Sequence, residues 1–420
     1  MEIGALALLW CCLYVPILCL VVRQENAFES FRMEEPENPE KHLCRFCGTE
    51  LKLVLDFGHL ALAGGFLKPE QFKTERKYPL RLCFCESCYS VQLADRVEPD
   101  VMFRDYFYFS SATETIREHF KQYAKEVVER FNPKTVIEVG CNDGVLIGPL
   151  RREGVRAIGV DPSSTVPKGI DIINDYFTEK VAKTIGKVDV VVANNVFAHI
   201  DDIHATTRAI RLALKDDGVC IIEVHYLGAM LDGLQYDWIY HEHIYYYSLL
   251  SLEKHLQSYG LYVFDVKPVP THGGSMRYYI SADRRPESRA VTDLRHNERE
   301  RGLDRLDTFT AFAERVERHK SDLNAMLSKL NGVVGYGASG RANTVIQYCD
   351  LKLEGMVDDA PAKHGFYTPG SHIPIRPSRT LVEDPPEHVL VFAWTYADEI
   401  GKKCRLPMIV PFPHLHRLEP

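Results

Sequence analysis

The sequence predicts an α/β protein with a doubly wound parallel sheet at its centre. A small cysteine-bearing module precedes that sheet and a second α/β unit follows it. Three observations carry this reading. Short apolar runs (VIEVG, AIGVD, VDVVVANN, VCIIEVH) alternate with helix-like segments from Thr135 to about Leu227, the pattern of parallel strands joined by helical crossovers. A similar series, GVVGYGASG, LEGMVDD, HVLVFAW and MIVPF, recurs near the C-terminus. Two C-x-x-C pairs stand before both.

A chain of 420 residues exceeds one ordinary core, so two or three domains are expected. The predicted order is an apolar leader and linker at 1–41, the cysteine module at 42–110 and the first α/β domain at 111–289. A helical connector at 290–330 and a C-terminal Rossmann-like domain at 331–420 complete it. Ser111 to Phe131 has helical spacing, and in the connector Leu303, Leu306, Phe309 and Phe312 fall on one helical face. Composition is ordinary for a globular protein, with 45% hydrophobic and 26% charged residues. The net charge of -8 argues against nucleic acid as a partner, because phosphate backbones call for a basic surface.

Ile3 to Val22 carries no charge and is long enough to cross a bilayer. It reads as a signal-anchor, a cleaved signal or an N-terminal extension. The lack of a basic residue before it argues against the cleaved signal. Arg23, with Glu25 and Glu29 close behind, gives little orientation. The predicted location of the catalytic part is the cytoplasm, with residues 3–22 as a candidate membrane anchor. Paired and scattered cysteines, rather than a disulfide pattern, fit a reducing compartment.

The first chemical motif is CRFC (Cys44, Cys47) with CESC (Cys85, Cys88). Two such knuckles offer four thiolates to one tetrahedral zinc ion, and a closed set of four is structural rather than catalytic. Cys83 competes with Cys85 for the register. The second is EVGCNDGVL, in which Gly140 and Gly144 permit a tight strand-to-helix turn and close approach of a ligand to the backbone. The next strand ends at Asp161, placed to accept from both hydroxyls of a ribose. With Glu138, Asn142 and Asn194, this segment resembles the cofactor site of class I S-adenosylmethionine (SAM) methyltransferases. A later strand delivers Asn194, Asn195 and His199 to the C-terminal edge of the sheet, where ligands bind in such folds.

The densest stretch is DWIYHEHIYYYS, Asp237 to Ser248. His241 and His243 suit either a metal site or a base with orienting partners. In an extended segment Glu242 and His243 would point to opposite sides, so a turn is needed to bring both inward.

CxxC…CxxC, ExGxNDG, NNVFAHI, YHEHxxYYS, HGGSxR (His272 to Arg277) and GYGASGRANT occur in this order. Together they resemble the SAM-dependent C-methyltransferases that act on nucleotide-linked keto-deoxysugars, over about Leu43 to Pro413. The resemblance implies SAM as methyl donor, a structural zinc ion and a nucleotide-sugar or related keto compound as substrate. It also implies that His243 is the general base, that Tyr240 and Glu242 orient sugar and base, and that His199 lines the same pocket. In DYFYFSSATE, Tyr106 or Tyr108 is expected to reach the site, with Tyr108 favoured and core packing the alternative role. The rivals are a small-molecule O- or N-methyltransferase, and a zinc-ribbon binding module on a decayed methyltransferase.

GYGASG (Gly335 to Gly340) satisfies G-x-G-x-x-G, with Asp358 following at the distance of a dinucleotide site. The resemblance places this turn in a domain not known for NAD, where it reads as a phosphate or substrate contact, with Arg341 near phosphate in a domain closing over the nucleotide-sugar, or as a purely structural turn. No motif specifies an oligomeric state.

Overall fold

Central strands of the predicted type appear where the apolar runs are longest. The computed structural model describes residues 42–103, 114–163 and 172–419. The leader 3–22 and Tyr108 therefore lie outside the described residues. Among the described residues, no helix is long and apolar enough to cross a membrane.

Three sheets organise the described chain. The first joins β1 (Lys52–Ala61), β2 (Lys77–Phe84) and β3 (Val91–Leu93) as an antiparallel meander. The second contains β4 (Thr135–Val139), β5 (Arg156–Val160), β6 (Ile172–Ile173), β7 (Val188–Asn194) and β8 (Leu214–His225). A later segment, β9 (Tyr245–Tyr246), leaves this region and pairs antiparallel with β3, closing the first sheet. Then β10 (Tyr262–Val269) and β11 (Ser275–Ser281) return to the second.

The second sheet runs β10-β11-β8-β7-β4-β5-β6. Its strands from β6 to β8 are parallel, and β11 is antiparallel to both neighbours. The order reverses between β4 and β7, which opens a crevice at the strands' C-terminal ends. Helices cover both faces, so β7 (VDVVVAN) is buried along nearly its whole length. That burial explains its unbroken Val run in place of an alternating pattern. Each such valine contributes roughly 1.5–3 kcal/mol by leaving water.

The third sheet, β14-β13-β12-β15-β16-β17, is formed by β12 (Val333–Tyr336), β13 (Gly355–Asp358), β14 (Ile375–Pro377), β15 (His388–Val391), β16 (Met408–Val410) and β17 (His416–Leu418). Only β17 is antiparallel. Helices Arg289–Glu300 and Leu306–Leu327 form the connector. Leu303, Phe309 and Phe312 are buried, and Phe309 packs on Phe84 with ring centroids 4.6 Å apart. The connector's apolar face thus seals the first sheet against the third.

Candidate active site and metal centre

The turn after β4 starts the site. Gly140 has φ +68°, and a Cβ there would stand 2.5 Å from Val196 Cγ2. Only glycine fits, for both steric and dihedral reasons. Asn142, also at positive φ, turns its N–H onto Asp161 Oδ2 at 2.8 Å. Asp161 Oδ1 accepts from Ser163 N at 2.9 Å and Ser163 Oγ at 2.6 Å. Its partners are neutral, and a carboxylate has capacity for further donors. Two side chains hold stranded polar atoms: Glu138 Oε2 and both amide atoms of Asn194 are buried without partners. Burial pushes the Glu138 carboxyl well above the usual carboxylate range.

These groups surround a cavity of about 660 Å³. Gly140, Asn142, Asp161, Asn194, His199, Tyr240 and His243 line it, while Glu138 and Gly144 are not among its lining residues. The DWIYHEH segment adds Trp238, Tyr240 and His243 to the lining. The His243 N–H bonds to Tyr240 O at 2.9 Å, a turn that brings Tyr240 and His243 to the cavity but not the Glu242 side chain. His243 Nδ1 lies 2.8 Å from the Trp238 carbonyl. A carbonyl only accepts, so Nδ1 carries the proton and Nε2 keeps a lone pair. That lone pair faces the Tyr240 hydroxyl at 3.0 Å. The His199 ring is 4.9 Å from the His243 ring, and Trp238 stacks on His243 at 5.4 Å.

Burial holds His243 well below the ordinary histidine value, with the neighbouring His199 adding to the effect. Burial likewise lowers His199 to about 4, although the Glu242 and Asn195 backbones hydrogen-bond it. Both rings are therefore neutral near pH 7. The Glu242 side chain goes elsewhere. It lines an adjoining cavity with Leu62 and Gly64, and a Cβ on Gly64 would lie 2.8 Å from Glu242 Oε1.

The four cysteines Cys44, Cys47, Cys85 and Cys88 converge, with all Sγ atoms within 4.8 Å of one another. The Cys44–Cys88 and Cys47–Cys85 separations are 3.4 and 3.5 Å. Metal–sulfur bonds of about 2.3 Å in a tetrahedron give sulfur–sulfur edges of about 3.8 Å. Cys83 stays outside: it sits in β2, paired with Leu53 on one side and Gln92 on the other. Burial raises its thiol to about 12.

Three protein-family models match the chain. A zinc binding domain covers residues 44–103, a methyltransferase domain 111–266, and a C-methyltransferase C-terminal domain 270–407. The C-methyltransferase NovU of Streptomyces niveus is 33% identical over 381 residues, 85% of this chain and 90% of that protein. The chain belongs to the C-methyltransferase family. A ubiquinone biosynthesis O-methyltransferase of Methylobacterium is 26% identical over 36% of this chain and 68% of its own length. Among solved structures, the magnesium protoporphyrin IX methyltransferase of Synechocystis with bound SAM aligns at TM-score 0.30 and 16% identity. It covers 39% of this chain and 78% of its own. The mitomycin 7-O-methyltransferase MmcR aligns at 0.32 and 15%, over 41% of this chain and 59% of its own.

This C-methyltransferase is a SAM-dependent enzyme with structural zinc. The stranded Glu138 and Asn194 atoms, the glycine cradle and Asp161 fit SAM. The closed four-thiolate set fits zinc.

Several residues at its site escaped the sequence reading. Glu223 and His225 end β8 and line the cavity, where the rule that ligands meet strand C-termini would have found them. Glu223 is fully buried. Despite that burial, the His119 and Arg277 side chains hold it at about 2. His225 Nε2 donates to Gln235 Oε1 at 2.8 Å, and Trp238 stacks on its ring at 4.5 Å. His272, at φ +59°, meets the same indole edge-on at 5.7 Å. Trp238 is the hub of the pocket, a role that no spacing rule marks.

The C-terminal domain also reaches this cavity through Ser339, Gly340 and Arg341. Arg341 donates twice to Asp237 Oδ2, at 2.8 and 2.6 Å, and Trp394 Nε1 donates to the same oxygen at 3.0 Å. The guanidinium lies over Trp238 at 4.7 Å. Asp358, the expected ribose acceptor of a dinucleotide site, is held by Lys363 Nζ at 3.0 Å and Ala360 N at 2.8 Å.

Proposed function

We propose that the enzyme methylates a carbon next to the keto group of a nucleotide-linked deoxysugar, with His243 as general base. The observation that carries this reading is the fixed tautomer of His243 in the cavity that also contains Asp161 and Asn194. An amine or alcohol brings its own lone pair to SAM. A carbon acid must first lose a proton, and that needs a positioned, neutral base.

His243 Nε2 takes the α-proton, and the electron pair of that C–H bond moves into the enolate. Nε2 has a single lone pair, so the Tyr240 O–H turns off it as the α-proton is taken, and the phenol then donates to the enolate oxygen. SAM supplies an electrophilic methyl group at its sulfonium. His199 and Trp238 exclude water around the base. Glu242 supports His199 through its backbone, and Asn142, Asp161 and Asn194 hold the cofactor. The N-terminus of helix Gly340–Tyr348 and the remaining N–H groups of Arg341 suit a diphosphate.

The test is incubation with methyl-labelled SAM and a panel of nucleotide-linked keto-deoxysugars, read by product mass and label position. Label on a carbon α to the carbonyl supports the reading. Label on oxygen or nitrogen overturns it. In deuterated water without SAM, the accepted sugar should exchange its α-proton, and His243→Ala should abolish that exchange.

A further inference from the structure

The proposed base sits on a loop that is tied at two points to other parts of the fold. Ile244, its neighbour, donates its N–H to Ala198 O at 2.7 Å and accepts from Leu93 N at 2.9 Å. The first bond fixes the loop to the segment carrying His199. The second fixes it to the zinc-binding module. The next residues, Tyr245 and Tyr246, continue as β9 and pair with Gln92 and Val91 of β3.

Gln92 joins this strand to the cysteines. Its side chain is completely buried, and all its polar groups are used. Nε2 donates to Cys44 Sγ at 3.1 Å and to Ser90 Oγ at 2.9 Å, while Oε1 accepts from Arg45 N at 2.9 Å. One amide therefore grips a metal-ligand sulfur and the knuckle backbone, and its own main chain lies beside Tyr245. Around it, Phe46 of the first knuckle packs on Tyr245 at 5.1 Å and His255 at 4.6 Å. His204 Nε2 contacts the Arg45 carbonyl at 2.8 Å, tying the same knuckle to the helix Ile203–Ala213 that follows β7.

A path of two hydrogen bonds and short main-chain steps thus runs from Cys44 through Gln92, Leu93 and Ile244 to His243. We propose that the zinc centre and Gln92 form a positioning unit for the His243 loop, so that metal occupancy sets the order of that loop. The catalytic meaning of this coupling rests on His243 being the base. The coupling itself does not. Removing a group that orients a metal ligand weakens metal binding about 10–100-fold, and here the same loss should reach the loop.

The test uses full-length protein, and hydrogen exchange is followed in peptides spanning 238–248 and 135–146. Gln92→Leu, loaded to one zinc per chain, should release zinc to a chelator about tenfold faster. Exchange in 238–248 should rise about tenfold, while 135–146 and SAM affinity stay within about twofold. Unchanged protection of 238–248 would overturn the proposal, because Gln92 would then serve the metal alone. A parallel loss in 135–146 and in SAM affinity would also overturn it, because the effect would be general unfolding. If Gln92→Leu does not fold, wild-type protein stripped by chelator and restored with zinc gives the same reading. Protection of 238–248 must fall and return with the metal, while SAM still binds the stripped form.

Discussion

The protein contains two glycine turns that look alike on paper, and they behave differently. Each follows a parallel strand, each opens toward a helix, and each has an acidic residue at the end of the next strand: Asp161 in one case, Asp358 in the other. By motif alone, Gly335 to Gly340 is the better dinucleotide fingerprint. Yet Asp358 is neutralised by Lys363, whereas Asp161 takes bonds only from neutral groups and faces the large cavity. The C-terminal turn opens onto that same cavity beside Tyr240. A glycine turn fixes backbone shape, and the charges around it decide what it can hold.

The sharpest way to break this comparison is to fill each turn. Gly140→Val adds atoms where Val196 already stands and forces a β-branched residue to positive φ. SAM affinity should fall at least about 100-fold, or roughly 2.7 kcal/mol, by calorimetry. Gly337, at φ +93°, is equally intolerant, and Gly337→Val should lower the melting temperature but leave SAM binding within about threefold. Loss of SAM binding in both would show that the turns act as one.

A smaller contrast lies in the acids. Asp161→Asn should weaken SAM about tenfold or more, while Asp358→Asn leaves it within about twofold. Equal effects would erase the distinction.

Acid should act next, on the cavity histidines. Burial lowers His225 to about 3 and His199 and His272 to about 4, and His243 lies well below its usual value. Below about pH 6.5 the unfolded chain binds protons that the folded site refuses. Stability should therefore be full above that pH and fall from about 6.5 toward 4, by about 1–2 kcal/mol per histidine at pH 5. Replacing His272 with Gln should flatten the slope of melting temperature against pH.

The weakest effect belongs to Lys363→Met, which uncaps Asp358 at a partly exposed pair and should cost about 1 kcal/mol or less in denaturant unfolding.

Much of this was legible in the chain. The alternating apolar runs mark the parallel strands of the second and third sheets, and Phe309 and Phe312 are buried on one helical face, whereas Leu303 is buried from the turn before that helix and Leu306 only partly so. Other features depend on partners distant in sequence. The choice between Cys83 and Cys85 is made by the pairing of β2 with Gln92, not by local spacing. The turn from Tyr240 to His243 sends Glu242 toward Gly64, which no periodicity announces. Glu223 gave no motif signal because its meaning comes from His119 and Arg277 on separate elements.

The pairing of β9 with β3 has one more consequence. Without Tyr245 and Tyr246, the small N-terminal sheet would present bare amides and carbonyls along β3, with buried Val91 and Leu93 uncovered. Such a margin invites pairing between molecules. Residues 42–103 expressed alone should associate and precipitate, so this module cannot be transplanted as an independent part. Its neighbour supplies its last strand.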